Sequence, residues 1–312
     1  MSSRLTTLIA IVSAALLWST SGVVAKILLT TVNPIPLAFT RFLLASLVIL
    51  PFFLYQKKRN RISFKQILTE VVPIALFGVG NIAFFYFGIA KTTANAASII
   101  YTTQPLLSVI FSRYLIKEQI TSKKLQGILI GFLGVLIIVL LPLLEKGEPF
   151  AGDLWGNILI IIATLCWTFY TIGSRYLISY KKYSPLSITT VSLITSTCIF
   201  FILTLIFPQP QYMSTFTKPL NLVLILHLAI LVTVAAYLLF QWAIKHSSAT
   251  TASLNNYLQP VFGFVLNSTF LGEQMTLGFF IGSVLVLTGV FLTSGMAVLK
   301  ELKNVRSLLV KK

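Results

Sequence analysis

The chain has 312 residues, of which 56% are hydrophobic and 10% charged, with 24 Lys+Arg against 7 Asp+Glu and a formal net charge of +17. A soluble domain carries ~25% charged residues, so a disordered chain, a disulfide scaffold and a two-domain soluble enzyme are all excluded. In a soluble protein the basic excess would point to nucleic acid; in a membrane protein it records orientation.

Crossing a hydrocarbon core of ~30 Å takes ~20 apolar residues in a helix. Ten apolar runs of that order follow one another, at 5–29, 36–55, 70–90, 94–112, 122–143, 154–174, 185–207, 220–244, 248–271 and 276–297. The gaps carry turn and charge signals: Asn33-Pro34-Ile35-Pro36, Lys57-Lys58-Arg59-Asn60-Arg61, Glu145-Lys146-Gly147-Glu148-Pro149 and Pro208-Gln209-Pro210. The first run follows Arg4 and extends to Lys26 without a small-residue cleavage site, so it reads as a span and not a signal peptide. The runs are too long for strands and lack alternation. The fold class expected is therefore an all-α membrane protein of ten transmembrane helices.

Orientation follows from the basic residues. With the N-terminus in the cytoplasm, the outer side receives Lys26, Arg41, Lys91, Lys146 and Lys218, which leaves 24 − 5 = 19 on the inner side. Positive charge collects on the cytoplasmic side of membrane proteins, so both termini are expected inside. The setting expected is the plasma (inner) membrane, with the lipid bilayer as a partner and no nucleic acid. Cys166 and Cys198 fall inside spans six and seven and read as small apolar fillers.

The chain is internally duplicated. At an offset of 155, Ala94, Ala97, Ser98, Gln104, Pro105, Glu118 and Gln119 match Ala249, Ala252, Ser253, Gln259, Pro260, Glu273 and Gln274. Gly127 and Gly134 match Gly282 and Gly289 in the same register, and at an offset of 149 Trp18 matches Trp167 and Thr40 matches Thr189. The division expected is 1–145 and 150–299, five spans each, followed by a basic cytoplasmic tail at 300–312. An odd number of spans per half inverts the second half relative to the first. Inverted repeats around a central site are the architecture of many secondary transporters, because equivalent halves can exchange roles between inward-open and outward-open states.

These residues also carry a resemblance. The ten spans, the duplication, the LLWSTSGVVAK and TRFLLASLVILP segments and the paired Gln-Pro…Glu-Gln helices resemble the EamA family of the drug/metabolite transporter superfamily, over about residues 5–297. The resemblance implies a basket-like bundle with a central cavity between the halves. It also implies transport, mostly export, of amino acids and other metabolites, with some members importing.

Position along the spans supplies the candidate site. Pro105 and Pro260 sit near the middle of spans four and nine, and each removes the helical partner of the carbonyl four residues earlier, at Tyr101 and Asn256. Unpaired carbonyls at membrane depth are tolerated where they line a cavity, and breaks at matching positions point to a transport site. Candidate substrate-binding residues are Trp18, Asn81, Tyr101, Gln104, Trp167, Tyr237, Gln241, Asn256, Tyr257 and Gln259. Each of them has an alternative reading as a packing or interhelical hydrogen-bonding residue. Arg41, deeper than Lys26 and Lys91, is a candidate for attracting a carboxylate, with snorkelling to the interface as the default. Glu118 and Glu273 sit on tight connections, where capping or salt-bridging between the halves is expected. The span-five and span-ten glycines are expected to pack helices within the bundle, with dimerisation as the second reading, so the chain is taken as a monomer or a homodimer.

No carboxylate lies at the middle of a span, so a proton relay of the usual kind has no residues to run on. No metal-ligand cluster, nucleophile motif or phosphate loop is present, so neither cofactor nor metal is expected and the chain is not read as an enzyme. A secondary transporter exporting a small polar metabolite, an amino acid foremost, by alternating access is the leading reading. A channel or facilitator is the alternative, and a membrane-embedded enzyme follows it.

Overall fold

A computed structural model describes residues 3–60, 63–92, 94–146, 153–209, 212–271 and 277–295, and all regular structure among them is helical. The first half runs α1 (Ser3–Leu28), α2 (Pro34–Asn60), the short α3 (Phe64–Gln66), a π-helical turn (Ile67–Val71), α4 (Val72–Ile89), α5 (Ala94–Thr102), α6 (Gln104–Leu115) and α7 (Ser122–Lys146). The second half runs α8 (Leu154–Ser179), α9 (Pro185–Ile206), a 3₁₀ turn (Tyr212–Thr217) and α10 (Pro219–His227). A π-helical stretch (Leu228–Ala235) then leads into α11 (Ala236–His246). There follow α12 (Ala249–Ala252), α13 (Asn255–Leu271), α14 (Leu277–Val290) and a closing π turn (Phe291–Gly295). Asp153 starts α8 by accepting from the Gly156 amide, while Ser184 and Ser248 cap α9 and α12 through the amides of Ser187 and Thr251.

Eight of these runs are long and apolar enough to cross a membrane, not the ten unbroken spans expected. Spans four and nine are each divided, into α5–α6 and α12–α13. In span four the break falls at Thr103, whose amide reaches only to the Ile100 carbonyl at 3.1 Å. Pro105 then occupies the first turn of α6, where its missing N–H leaves nothing unpaired. In span nine the expectation fails. Pro260 lies inside the continuous α13, and the break comes earlier, at Ser253–Leu254. There the amides of Leu254, Asn256 and Tyr257 switch to carbonyls three residues back, a tightening that ends one helix and starts the next. Thr103 and Ser253 are not repeat-equivalent, so the two prolines do not mark matching breaks.

The halves pack as a reciprocal pair. α1 lies against α11 and α13 of the second half, while α8 lies against α4, α5 and α6 of the first; α2 pairs with α9 and α7 with α14. The α7–α14 contact is the closest. A Cβ on Gly127 would stand 2.6 Å from the Gly289 carbonyl oxygen, and one on Gly134 would stand 2.7 Å from that of Gly282. Gly127 thus touches Gly289 and Gly134 touches Gly282, each against the repeat-mate of the other, so these equivalent helices cross antiparallel about a local two-fold. Small residues allow this approach, and in a membrane close packing is the main force holding helices together. The glycines are used inside the chain, as the sequence reading favoured.

One end of the bundle gathers the basic connections. Lys181 Nζ bridges to Glu70 at 3.0 Å, Tyr180 donates its hydroxyl to the Ile116 carbonyl, and Ser184 donates to the Gln56 side chain. At the opposite end Thr92 donates to Asn157, and the Asn33 amide donates to Gln209.

Candidate functional site

Where the two halves meet, the repeat-related tryptophans touch: Trp18 of α1 and Trp167 of α8 pack edge to face with centroids 5.6 Å apart. Tyr237 of α11 stands edge-on to Trp18 at 5.6 Å, and Phe240 stacks on Trp167 at 5.2 Å. Tyr170, one helical turn past Trp167, stacks on it at 5.3 Å. Trp167, Tyr170, Tyr237 and Phe240 are buried and Trp18 half-buried, and T-shaped and offset-stacked pairs of this kind are favoured by the ring quadrupoles. Trp18 is anchored by its indole N–H, which donates to the Val232 carbonyl at 3.1 Å inside the π-helical stretch.

The next residues of α1 extend this junction. Ser19 Oγ donates to the Gln259 carbonyl at 3.1 Å, and Thr20 Oγ1 pairs with His227 Nε2 at 2.8 Å. An amide chain crosses between the halves beside it. Gln259 Nε2 donates to Asn256 Oδ1 at 3.0 Å, Asn256 Nδ2 donates to Gln104 Oε1 at 3.1 Å, and Gln104 Nε2 donates to Ser108 at 3.0 Å. The break before α6 sets Gln104 at that helix's start, and the break before α13 sets Asn256 in its first turn.

The remaining expected residues divide. Asn81 of α4 donates to the Tyr101 hydroxyl and to the Ala163 carbonyl at 2.9 Å, joining α4, α5 and α8. Gln241 donates to Tyr170 and Ser174 at 2.9 and 3.0 Å, and its Oε1 is buried without a partner. Tyr257 is separate from the amide chain: its ring fills the space above Gly131 of α7, and its hydroxyl is buried without a partner. In this conformation the expected residues form three contacting groups, Trp18–Trp167–Tyr237, Gln104–Asn256–Gln259 and Asn81–Tyr101, with Gln241 and Tyr257 outside them. A surface hollow of about 380 Å³ lies elsewhere, on the α6–α7 connection between Arg113 and Thr121.

Arg41 does not snorkel. It stands seven residues into α2 and its Nε donates to Thr233 Oγ1 at 2.5 Å; Thr233 is fully buried and in turn donates to the Leu228 carbonyl at 2.7 Å. Thr233 adjoins Val232, the acceptor for Trp18, so the guanidinium is held beside the aromatic cluster. Thr233, His227, Ser19 and Tyr170 were absent from the sequence-derived site. Tyr170 alone had a usable signal, its helical spacing from Trp167.

Glu70, Glu118 and Asp153, the carboxylates with described side chains, are committed elsewhere. Glu118 takes Lys124 Nζ at 3.2 Å through Oε1 and caps α12 by accepting the Ala249 amide at 3.1 Å through Oε2. Lys124 also donates to Ser248 at 2.7 Å. Lys117, with φ of 52°, turns the chain so that the Glu118 amide reaches back to the Ser112 carbonyl. This is the bridging between halves expected of Glu118; Glu273, its counterpart, lies outside the described residues, as does the tail at 300–312. Cys166 and Cys198 are free thiols, and the described residues hold no cluster of metal-ligand type.

Comparison with known proteins gives the family. The EamA-like transporter family matches at residues 5–140 and again at 154–295. An uncharacterized transporter of Archaeoglobus fulgidus is 30% identical over 287 residues, covering 89% of this chain and 94% of that one. The uncharacterized transporter YyaM of Bacillus subtilis is 27% identical, covering 85% of each chain, and the uncharacterized inner membrane transporter YedA of Escherichia coli is 22% identical, covering 84% of this chain and 81% of that one. A solved crystal structure superposes with a TM-score of 0.74 at 16% identity, covering 95% of this chain and 98% of that one, a likeness of fold. With two family matches that between them span nearly all of its length, the chain belongs to the EamA-like transporter family and is a multi-pass membrane transporter.

Proposed function

We propose that this transporter is a secondary carrier that exports a small polar metabolite, such as an amino acid, across the plasma membrane by alternating access. The observation that carries the reading is the junction of the halves. Trp18 and Trp167, equivalent by the repeat, meet there, and the Gln104–Asn256–Gln259 chain crosses from one half to the other beside them. Amides and hydroxyls held only by one another can trade those partners for a polar cargo, and a two-fold related bundle has two similar ways to open. The basic end is taken as cytoplasmic, with both termini on that side. The printed description of YedA, an inner membrane transporter, agrees with the plasma membrane as the setting. The bilayer and the cargo are the partners, no cofactor is invoked, and the chain acts as a monomer or a homodimer; the glycines of α7 and α14 packed on each other support the monomer.

The test is counterflow in proteoliposomes loaded with amino acids and related metabolites. A carrier accumulates labelled substrate against unlabelled substrate inside; a channel does not, and an enzyme returns a changed compound. Gln104→Ala, Asn256→Ala and Gln259→Ala are each expected to slow counterflow about tenfold in folded protein. Parental rates in all three would remove this site.

A further inference from the structure

We propose that Arg41 is a one-sided anion subsite: its guanidinium binds the carboxylate of the cargo beside the Trp18–Trp167–Tyr237 cluster, with Thr233 as the positioning residue. This rests on the carrier reading above and names the chemical class of its cargo.

Four observations converge. First, depth: Arg41 lies within the span Pro34–Gln56, about 10 Å from its start at 1.5 Å per residue, where an ionised side chain is costly and marks a transport pathway more often than a scaffold. Second, direction: the side chain reaches inward to Thr233, whose relative exposure is 0%, and does not turn back toward the interface. Third, counter-charge: the three carboxylates with described side chains are engaged elsewhere, Glu118 with Lys124, Glu70 with Lys181 and Asp153 with the Gly156 amide. Fourth, the way the guanidinium is held: its Nε donates to Thr233 and its other side-chain partner is the neutral Tyr86 hydroxyl, a bond that a carboxylate can replace.

The surroundings fit an anion as well. The charge of Arg41 acts on the hydroxyls of Tyr86 and Tyr237, two neutral groups able to donate to a bound oxygen. Thr233 sits in the π-helical stretch, where its hydroxyl is fixed by the Leu228 carbonyl five residues back and so presents its lone pairs to Arg41. π-bulges of this kind recur at functional sites.

The subsite exists on one side only. The repeat equivalent of Arg41 is Thr190, whose buried Oγ1 has no partner. The position of Arg41 is thus cationic and its repeat-equivalent position neutral, so a carboxylate-bearing cargo is held in a single orientation through the cycle. A single guanidinium balances one carboxylate. A phosphate ester, with a charge near −2 at neutral pH, would leave charge uncompensated at membrane depth, so the carboxylate is the assigned class.

The experiment overproduces the full chain in cells and identifies by mass spectrometry the compounds that the culture medium gains. Counterflow of each such compound, its amide and its methyl ester is then measured in proteoliposomes. Expected are carboxylates among the gained compounds and an acid that exchanges at least about tenfold better than its amide or ester. Arg41→Met should raise KM for the acid about tenfold or more, and Arg41→Lys should recover part of that loss. Thr233→Val should raise KM about threefold with kcat retained. Gained compounds that all lack a carboxylate, phosphate esters included, would overturn the proposal. So would an ester that exchanges as well as its acid, or an unchanged KM in Arg41→Met. If Arg41→Met fails to fold, the ester comparison on the parental chain and the Arg41→Lys and Thr233→Val kinetics decide. If the parental chain exports nothing and shows no counterflow, the carrier reading itself falls and the subsite with it.

Discussion

At the scale of single residues, the junction between the halves mixes satisfied and orphaned polar groups. Gln104 and Asn256 bond to each other, while Tyr257 holds a hydroxyl with no partner in a fully buried position. An unmade hydrogen bond of that kind costs ~1–3 kcal/mol, and removing the hydroxyl removes the cost. Tyr257→Phe is therefore expected to leave the melting temperature of the detergent-solubilised protein unchanged or raise it, and a clear fall would show that the hydroxyl has a partner. The ring itself has a structural duty. It occupies the space above Gly131, where an added Cβ would come within 2.6 Å of it, so the same residue cannot be read from polarity alone.

At the scale of elements, the two glycine pairs and Gly263 make a controlled comparison. Gly282 faces the Gly134 carbonyl, and a Cβ there would also stand 2.5 Å from Ile138 Cγ1. Because backbone cannot yield as a flexible side chain can, Gly282→Ala is expected to cost a few kcal/mol as overpacking. The check is loss of the monodisperse peak in size exclusion and a lower melting temperature. Gly263, inside α13, would place a new Cβ in open space with nothing within 4 Å. Gly263→Ala is expected to be neutral or to stabilise by up to ~1 kcal/mol through helix propensity. If both variants behaved alike, the close α7–α14 crossing would be wrong.

For the whole molecule, the basic end is tied by a bridge whose lysine has no counterpart in the repeat. Glu118 and Lys124, whose side chains are 9% and 14% exposed, tie the α6–α7 connection to the start of α12. The repeat equivalent of Lys124 is Phe279, which has no ammonium to offer. Loss of one partner from a mostly buried pair leaves the other charge uncompensated. Lys124→Met is therefore expected to open this end. Ser112, buried against Thr250 at 3.0 Å in the same region, supplies the reporter. In a background without Cys166 and Cys198, a cysteine at 112 should react with a membrane-impermeant maleimide about tenfold faster when Lys124→Met is added, which corresponds to ~1.4 kcal/mol in the opening equilibrium. An unchanged rate would mean that the bridge does not hold the end closed.

Sequence alone determined the class, the helical runs, the duplication and the family, because membrane spans are written in local composition and a repeat is written in register. Pro105 was read as a mid-span break that orphans the Tyr101 carbonyl; the structure instead breaks the span at Thr103 and seats Pro105 in the first turn of α6. Trp18 with Trp167, and Gln104 with Asn256 and Gln259, were legible as a set because the repeat pointed to them twice. Pro260 was misread: its ring is accommodated inside α13, and the break falls where hydrogen bonds shift at Ser253–Leu254. Thr233 carried no signal at all, since its part depends on a π-helical turn that brings it to Arg41 from 192 residues away. Only the tertiary structure could turn Arg41 from a snorkelling cation into one held at the junction, because direction and counter-charge are set by neighbours distant in the chain.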